Sequence, residues 1–570
     1  MSENQAGELM RQAGQALEAA QKTVDIVLAS LKERTAENGQ ISSAKIDQHQ
    51  LVAYDAAMCT AEANAARFAL DYAAKAREAV GASYPAPTLE ERFALLFTAE
   101  AINSIRGRLS ARPDDFGISR GKLATLLESG VVQQFCTTQL AATNIADLGK
   151  AVCALDGQTG AYLLDDHHEM MREQFRRFAN DVVVPLAKEV HQKDLIIPDE
   201  ILENVKELGC FGISIPQQYG GLQDDEQEDN MGMIVVTEEL SRGSLGAAGS
   251  LITRPEILAR ALLKGGTEEQ KQKWLPQLAA GDPLCAVAVT EPNYGSDVAN
   301  MRLKATKTEG GWLLNGAKTW CTFGGKAGVL LVLARTNPDL SLGHRGLSMF
   351  LAEKPSYDGH AFEYKQEGGG MLTAKAISTI GYRGMHSFDL FFDDFFIPDE
   401  NLLGGPDGLG KGFYFTMAGF SGGRIQTAAR AIGVMQAAFE RAVSYAKERV
   451  VFGKPIADYQ LTQVKLARMA TYLVASRQFT YAVGRLMDQG KGDMEASMVK
   501  FFTCRTAEWI TREALQIHGG MGYAEETPVS RYFIDARVLS IFEGAEETLA
   551  LKVIAPALAK IAKDKQALEV

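Results

Sequence analysis

Three short segments of the chain bring together residue types that can do chemistry. In IFEGAEE a carboxylate, Glu543, sits between an apolar stretch and Gly544. Such a carboxylate can act as a general base when it is desolvated; a lone glutamate at a helix end also serves as a cap or a solvated charge. In VAVTEPNYGSD a strand is expected to end at Thr290. The turn through Gly295, Ser296 and Asp297 can then aim backbone N–H groups and hydroxyls at a phosphate or the polar edge of a ring, and taken alone it also reads as an ordinary turn. In LNGAKTWCTFGG a strand is expected to end in Trp320, with Thr322 two residues on and so on the same face. An indole beside a hydroxyl suits a flat polar ring system, or else a core tryptophan and a surface threonine.

A longer run, QIHGGMGYAEETPVSRYFIDARVLS, leads into Glu543. Its glycines Gly519, Gly520 and Gly522 end a helix and allow close backbone approach to a ligand. Arg531 and Asp535, four apart on an expected helix, suit a structural salt bridge.

The elements that must position these residues follow from periodicity. Residues 1 to 150 read as helical throughout, rich in alanine and without proline before Pro85. Met10, Ala13, Leu17, Ala20, Val24, Val27 and Leu31 alternate at three-four spacing, which predicts a packing seam on one helix face. Pro85, Pro87 and Pro113 punctuate a second helical group. Helices continue from Leu163 to Gly281, including TEEQKQKWLPQLAAGD, opened by Thr267. From Pro283 to Leu403 short alternating runs separated by turn residues predict a small β-sandwich or barrel, with the GGG at 368–370 as a loop insertion. The apolar run Val329 to Ala334 reads as a buried strand. After Gly410 the helical pattern returns, and the run from Arg424 reads as one long helix stopped by Gly453 and Pro455. The expected class is α+β, mostly helical, in four parts: 1–155, 156–282, 283–405 and 406–570.

Composition bounds the function. A chain of 570 residues is too long for one ordinary core. A net charge of -12 argues against general nucleic-acid binding, which needs a basic surface. The seven cysteines are scattered with no CxxC pair, so neither a disulfide framework nor a zinc site is expected, the metal expectation is none, and a cytoplasmic location fits. No signal peptide and no membrane span are expected.

In order and wording these segments resemble the acyl-CoA dehydrogenase family over residues 160 to 560. TEPNYGSD resembles the family's first signature, and the run from Gln516 through Gly519, Gly520, Gly522, Arg531 and Asp535 fits its second, spaced pattern. The resemblance implies the acyl-CoA dehydrogenase fold: a helical N-terminal domain, a middle β-domain and a C-terminal four-helix bundle, here preceded by an all-helical extension. It implies FAD as cofactor. Thr290 is then a hydroxyl donor to the flavin pyrimidine edge, Trp320 packs against the ring, Thr322 faces N5, and Ser296 lies near the pyrophosphate and the CoA chain. Val287, Gly544 and Glu547 join the cofactor contacts, and Phe542 and Gly544 the substrate contacts. Arg449, Phe452 and Gln460 resemble residues that hold the ADP half of FAD on a neighbouring subunit, and Gln516 to Gly520 would touch the same nucleotide. A homodimer or homotetramer follows, with an electron-transfer flavoprotein as acceptor. Arg424 resembles a helix arginine near CoA. Glu543 stands where short- and medium-chain members place their base; Gly423 occupies the alternative base position. Phe542 and Ala545 depart from a tyrosine and a threonine of the family pattern.

The extension and the segment GGGMLTAKAISTIGYRGMHSFDLFFDDFFIP are unusual for the family. Both resemble a branch of that family acting on a short branched dicarboxylic acyl-CoA, and this resemblance implies (2S)-methylsuccinyl-CoA as substrate, oxidised to mesaconyl-CoA in the ethylmalonyl-CoA pathway, with isovaleryl-CoA or another short branched acyl-CoA as the alternative. The free carboxylate of such a substrate needs a cation or several donors. Arg254 is the expected cation, against a reading as a solvated helix arginine; Arg383 and His386 are weaker candidates. From another class, the chain could be a non-catalytic FAD-bearing scaffold, against which Glu543 counts.

Overall fold

The computed structural model describes residues 5–81, 86–128 and 130–564; Pro85 lies outside the described residues. The chain forms two compact units: the described residues of Met1–His167, Val434–Leu486 and Lys491–Val570, and those of His168–Gly433 with Met487–Gly490.

The extension is built on three long helices, α1 (Gln5–Thr35), α2 (Gln50–Val80) and α3 (Leu89–Ala111). The expected seam of α1 is buried from Ala13 to Leu31, with Met10 at its edge half-buried. In α2 the buried positions are largely alanine, among them Ala53, Ala56, Ala57, Ala61 and Ala65; small side chains let neighbouring helices approach closely. A capping box starts α3: Thr88 Oγ1 accepts from the Glu91 N–H, and Glu91 Oε2 accepts from the Thr88 N–H. The extension is not helical throughout, because Ala36–Glu37 pairs with Gln40–Ile41 around the turn that reverses the chain between α1 and α2.

In the second unit, α4 (Thr253–Gly265) and α5 (Glu268–Ala280) precede one eight-stranded sheet, not a two-sheet sandwich. Its strands are β1 (Cys285–Ala288), β2 (Lys304–Thr308), β3 (Gly311–Thr322), β4 (Val329–Arg335), β5 (Leu347–Glu353), β6 (Ala361–Lys365), β7 (Met371–Ala376) and β8 (Ser387–Pro398). The order is β1-β4-β2-β3-β8-β7-β6, with β5 also on β4. Strand β4 is buried on both faces. Leu330, Val332 and Ala334 join one core with residues of β3 and β8, while Val329, Leu331 and Leu333 join another with α4 and α5; the period of two makes this possible. The glycines at 368–370 are no insertion: they make the hairpin turn between β6 and β7, where Gly370 O accepts from the Gln366 N–H at 2.7 Å.

Helix α6 (Gly412–Glu448) then carries the chain out of this unit. It starts earlier than Arg424 and stops at Glu448, before Gly453, because Val450–Val451 pairs with Lys454–Pro455 in a hairpin. Phe452 and Gly453 form its two-residue turn, both at positive φ as a type I′ turn requires. Helices α7 (Gln460–Met487), α8 (Asp493–His518) and α9 (Pro528–Leu539) follow. Arg531 and Asp535 both lie buried on α9. Among the described residues, no helix is long and apolar enough to cross a membrane.

Candidate active site

In the second unit the chemistry gathers where β1 ends beside β3. Thr290 lies two residues past β1, and its carbonyl accepts from the Thr319 N–H at 2.9 Å. The next residue, Glu291, is buried; it accepts from the backbone N–H groups of Arg302 at 2.6 Å and Leu303 at 2.8 Å, and from Lys318 Nζ at 2.9 Å. Lys318 also donates to Val289 O at 2.9 Å. The TEP turn is therefore fastened to β3 from inside the core.

Trp320 stands out of that core. Its φ is +56, and its side chain remains 55% exposed. A left-handed conformation costs a non-glycine residue about 1–2 kcal/mol, and a large aromatic held in solvent by such a backbone is a mark of function. The strand alternation that would put Trp320 and Thr322 on one face is interrupted. A register shift between Phe388 and Leu390 of β8 falls opposite Thr319 and Trp320, where Thr319 Oγ1 donates to Asp389 at 2.5 Å. Thr322 is buried and shares a hydrogen bond with Ser387 Oγ at 3.0 Å. An open indole face with a buried hydroxyl pair nearby in sequence fits a flat ring with polar edges. Val287 is half-buried in β1, and Ser296 is exposed in the turn beyond Thr290.

Arg254 is not a solvated helix arginine: at the start of α4 it is 6% exposed. Its charge reaches β3. Burial pushes the Cys321 thiol up to about 12, against the downward pull of Lys354, Arg254 and Lys318. Beside it in sequence, the Thr253 hydroxyl is buried, and no hydrogen bond satisfies it among the described residues. The same holds for both amide atoms of Gln426, two residues after the half-buried Arg424 on α6. Unsatisfied buried polar groups are costly, and these suit a polar ligand. Gly423, at the alternative base position, is buried, with its carbonyl accepting from Thr427 Oγ1 at 2.7 Å.

Arg383 and His386 have other work. His386 Nε2 lies 3.1 Å from Asp194 Oδ1, Arg383 Nε lies 3.3 Å from the same oxygen, and the His360 and His386 rings are 4.5 Å apart. The sequence expectation saw no metal constellation, since these residues are far apart in the chain. The structure brings Asp194, His360 and His386 together as a group able to hold a metal ion, with the Arg383 guanidinium 3.3 Å from the same carboxylate.

In the first unit, Glu543 occupies the bend after α9 at φ +56, half-buried, followed by Gly544 at φ +99. A Cβ on Gly544 would come within 2.9 Å of Leu549, so this position requires glycine. Phe542 and Ala545 are half-buried on either side. Lys500 of α8 donates to Gly544 O at 2.5 Å. Arg449, Gln460, Gln516, Gly519, Gly520 and Glu547 are exposed, and Phe452 is 95% exposed. Side chains added at Gly519 and Gly520 would meet nothing. The hairpin after α6 and the end of α8 each expose residue types that suit a nucleotide.

Sequence reasoning missed Lys318, Glu291 and Lys500. The first had a signal: Trp312, Leu314 and Lys318 share the even-numbered positions of β3, all buried, so a lysine sits where the pattern demands an apolar residue. Lys500 gave none.

The fold and these residues define a family. The N-terminal, middle and C-terminal domain models of acyl-CoA dehydrogenases match residues 165–282, 286–395 and 410–558. The chain belongs to the acyl-CoA dehydrogenase family; it is an oxidoreductase acting on CH–CH bonds, with FAD as cofactor. Among its relatives is (2S)-methylsuccinyl-CoA dehydrogenase of Cereibacter sphaeroides, 39% identical over 95% of this chain and 97% of that one. The three-dimensional structure of butyryl-CoA dehydrogenase from Megasphaera elsdenii superposes with a TM-score of 0.63 at 33% identity, covering 69% of this chain and 98% of that one. A glutaryl-CoA dehydrogenase in complex with glutaryl-CoA gives 0.62 at 30% identity, covering 69% and 95%.

Proposed function

We propose that the chain oxidises (2S)-methylsuccinyl-CoA to mesaconyl-CoA, with Glu543 as the base. The carrying observation is the similarity to a methylsuccinyl-CoA dehydrogenase that runs through the helical extension, where the shorter relatives have no counterpart. The buried Arg254, with Thr253 and Gln426, supports an acyl group that ends in a carboxylate. The chain is read in four parts, 1–155, 156–282, 283–405 and 406–570.

In this reading Glu543 removes the α-proton, and the N–H of the same residue helps hold the thioester oxygen as negative charge develops there. Arg254 orients the substrate through its distal carboxylate, and Arg424 and Ser296 guide the CoA chain. Thr290, Trp320 and Thr322, with Val287, fix the ring system; Arg449, Phe452, Gln460, Gln516, Gly519, Gly520, Gly544 and Glu547 hold the rest of FAD, part of it across a subunit interface. FAD held by these residues would supply the hydride acceptor, and an electron-transfer flavoprotein is the proposed partner that would reoxidise it. The assembly is a homodimer or homotetramer in the cytoplasm, and the reaction belongs to the ethylmalonyl-CoA pathway.

Anaerobic mixing with CoA esters tests this. Methylsuccinyl-CoA bleaches the flavin band near about 450 nm, and Glu543→Gln keeps FAD but is not reduced. Bleaching by isovaleryl-CoA alone overturns the substrate; wild-type reduction of the Gln variant overturns the base.

A further inference from the structure

Glu543 holds a left-handed backbone that its residue type disfavours. Such a conformation persists only where the surroundings over-determine it. In the first unit, α8 fastens the loop at three points: Glu508 accepts from Ser540 Oγ at 2.5 Å, Lys500 donates to Gly544 O at 2.5 Å, and Arg505 Nη1 donates to Glu546 Oε1 at 2.9 Å. The loop also closes on itself, Glu546 N–H to Ser540 O at 3.1 Å.

The third fastening point has a further member, from the extension. Tyr54 of α2 donates from its hydroxyl to Glu546 Oε1 at 2.9 Å and accepts from Arg505 Nη1 at 2.5 Å. Its ring stands edge-on to Phe501 of α8, centroids 5.2 Å apart. Burial pushes the Tyr54 phenol up, with Glu546 and Glu547 adding to the rise against the pull of Arg505, so the hydroxyl stays an O–H donor at neutral pH. Behind it, Arg112 pairs with Asp55 at 2.8 Å, and the half-buried Arg108 lies 3.5 Å from both Asp55 and Glu62. The triangle of Tyr54, Glu546 and Arg505 thus joins ion pairs of the extension to Glu546, three residues along the chain from Glu543.

We propose that the helical extension braces the loop that carries Glu543, and that Tyr54 is a positioning residue for α-proton removal. This rests on the reading of Glu543 as the base. Removing the phenol hydroxyl leaves the Arg505–Glu546 pair but frees it to move. A base displaced by a fraction of an ångström loses far more rate than substrate affinity, because in this reading Arg254, Arg424 and Ser296, all outside the loop, hold most of the CoA ester.

The test is rapid-mixing reduction of the FAD holoenzyme by methylsuccinyl-CoA. For Tyr54→Phe the limiting bleaching rate falls about tenfold, the half-saturating substrate concentration stays within about twofold, and FAD content is unchanged. Substrate deuterated at Cα slows the variant at least as much as the wild type. Glu546→Gln, a second way of opening the triangle, behaves alike. Lys552→Ala breaks a different bond between the extension and the C-terminal residues, Lys552 to Asp47 at 2.6 Å, and leaves the rate unchanged. The brace is overturned if Tyr54→Phe reduces at the wild-type rate with or without a lower Tm, if rate and affinity fall together, if the isotope effect disappears, or if Lys552→Ala slows reduction equally. Glu543→Gln, run alongside, separates the two readings. Wild-type reduction by that variant ends both; loss of reduction there with a wild-type rate in Tyr54→Phe ends only the brace.

Discussion

Lys318 and Glu291 form an ion pair of 2.9 Å inside the second unit, with the lysine wholly buried. Burial depresses the Lys318 pKa to about 8 even with Glu291 raising it. The pair fastens the TEP turn to β3, so it sets Thr290 and Trp320 relative to each other. Removing one member leaves a buried charge. Glu291→Gln is therefore expected to cost about 3 kcal/mol in denaturant unfolding and to lower FAD retention. Adding Lys318→Met removes the orphaned cation and recovers much of the stability. Additive losses in the double variant would mean that the two residues act independently.

A second buried lysine predicts a pH dependence. Lys354 Nζ donates to Gly325 O at 2.8 Å, Ala327 O at 2.5 Å and Pro355 O at 3.0 Å, and so shapes the turn that follows Thr322. Burial depresses its pKa to about 8, against the pull of Cys321. Between that value and the ordinary lysine range the unfolded chain holds a proton that the folded chain has lost. Stability from this group thus rises with pH across the window, by at most about 1.4 kcal/mol per pH unit. The difference in unfolding free energy between wild type and Lys354→Met is expected to move toward the wild type from pH ~8 to ~10. A flat difference would place the charged form in both states.

The sequence was most legible where one period governs a whole element. The three-four spacing from Ala13 to Leu31 and the apolar run of β4 both led to buried faces. It was least legible where distant residues meet. Tyr54 and Glu546 are 492 residues apart, and Asp194 and His386 192 apart, so no local pattern signals either pair. Turn chemistry lay between: the glycines at 368–370 marked a break correctly but not its size, because a hairpin turn and an insertion share composition. The positive φ of Trp320 and Glu543 was invisible, since neither residue type favours it; local preference fails at the two residues assigned to the chemistry.

Phe452 offers a substitution that local physics favours and the proposed assembly does not. In a type I′ turn Asn-Gly is preferred over Phe-Gly. For the isolated chain, Phe452→Asn relieves strain and removes an aromatic that is 95% exposed; the apoprotein is expected to be no less stable, by thermal unfolding. If the ring packs on the nucleotide and a second subunit, the variant loses FAD on dilution and dissociates toward monomer in light scattering. Unchanged FAD content and mass would leave Phe452 as a bare turn residue.

In the proposed reading Arg254 decides between substrates. A desolvated guanidinium stabilises a distal carboxylate, for which water has been given up on both sides. A branched acyl group without a carboxylate makes no such bond. Arg254→Leu is therefore expected to lower kcat/KM for methylsuccinyl-CoA by about 10²–10³-fold, in line with losing a charge-assisted partner in a closed site. For isovaleryl-CoA the change stays below about tenfold, because an apolar pocket discriminates by size alone. Arg254→Lys keeps the charge but not the two-pronged geometry and falls between. FAD content, measured on the same preparations, separates a pocket effect from loss of the fold. Equal losses for both esters at full FAD occupancy would move the carboxylate to another cation, and Arg424, half-buried on α6, is then the residue to change next.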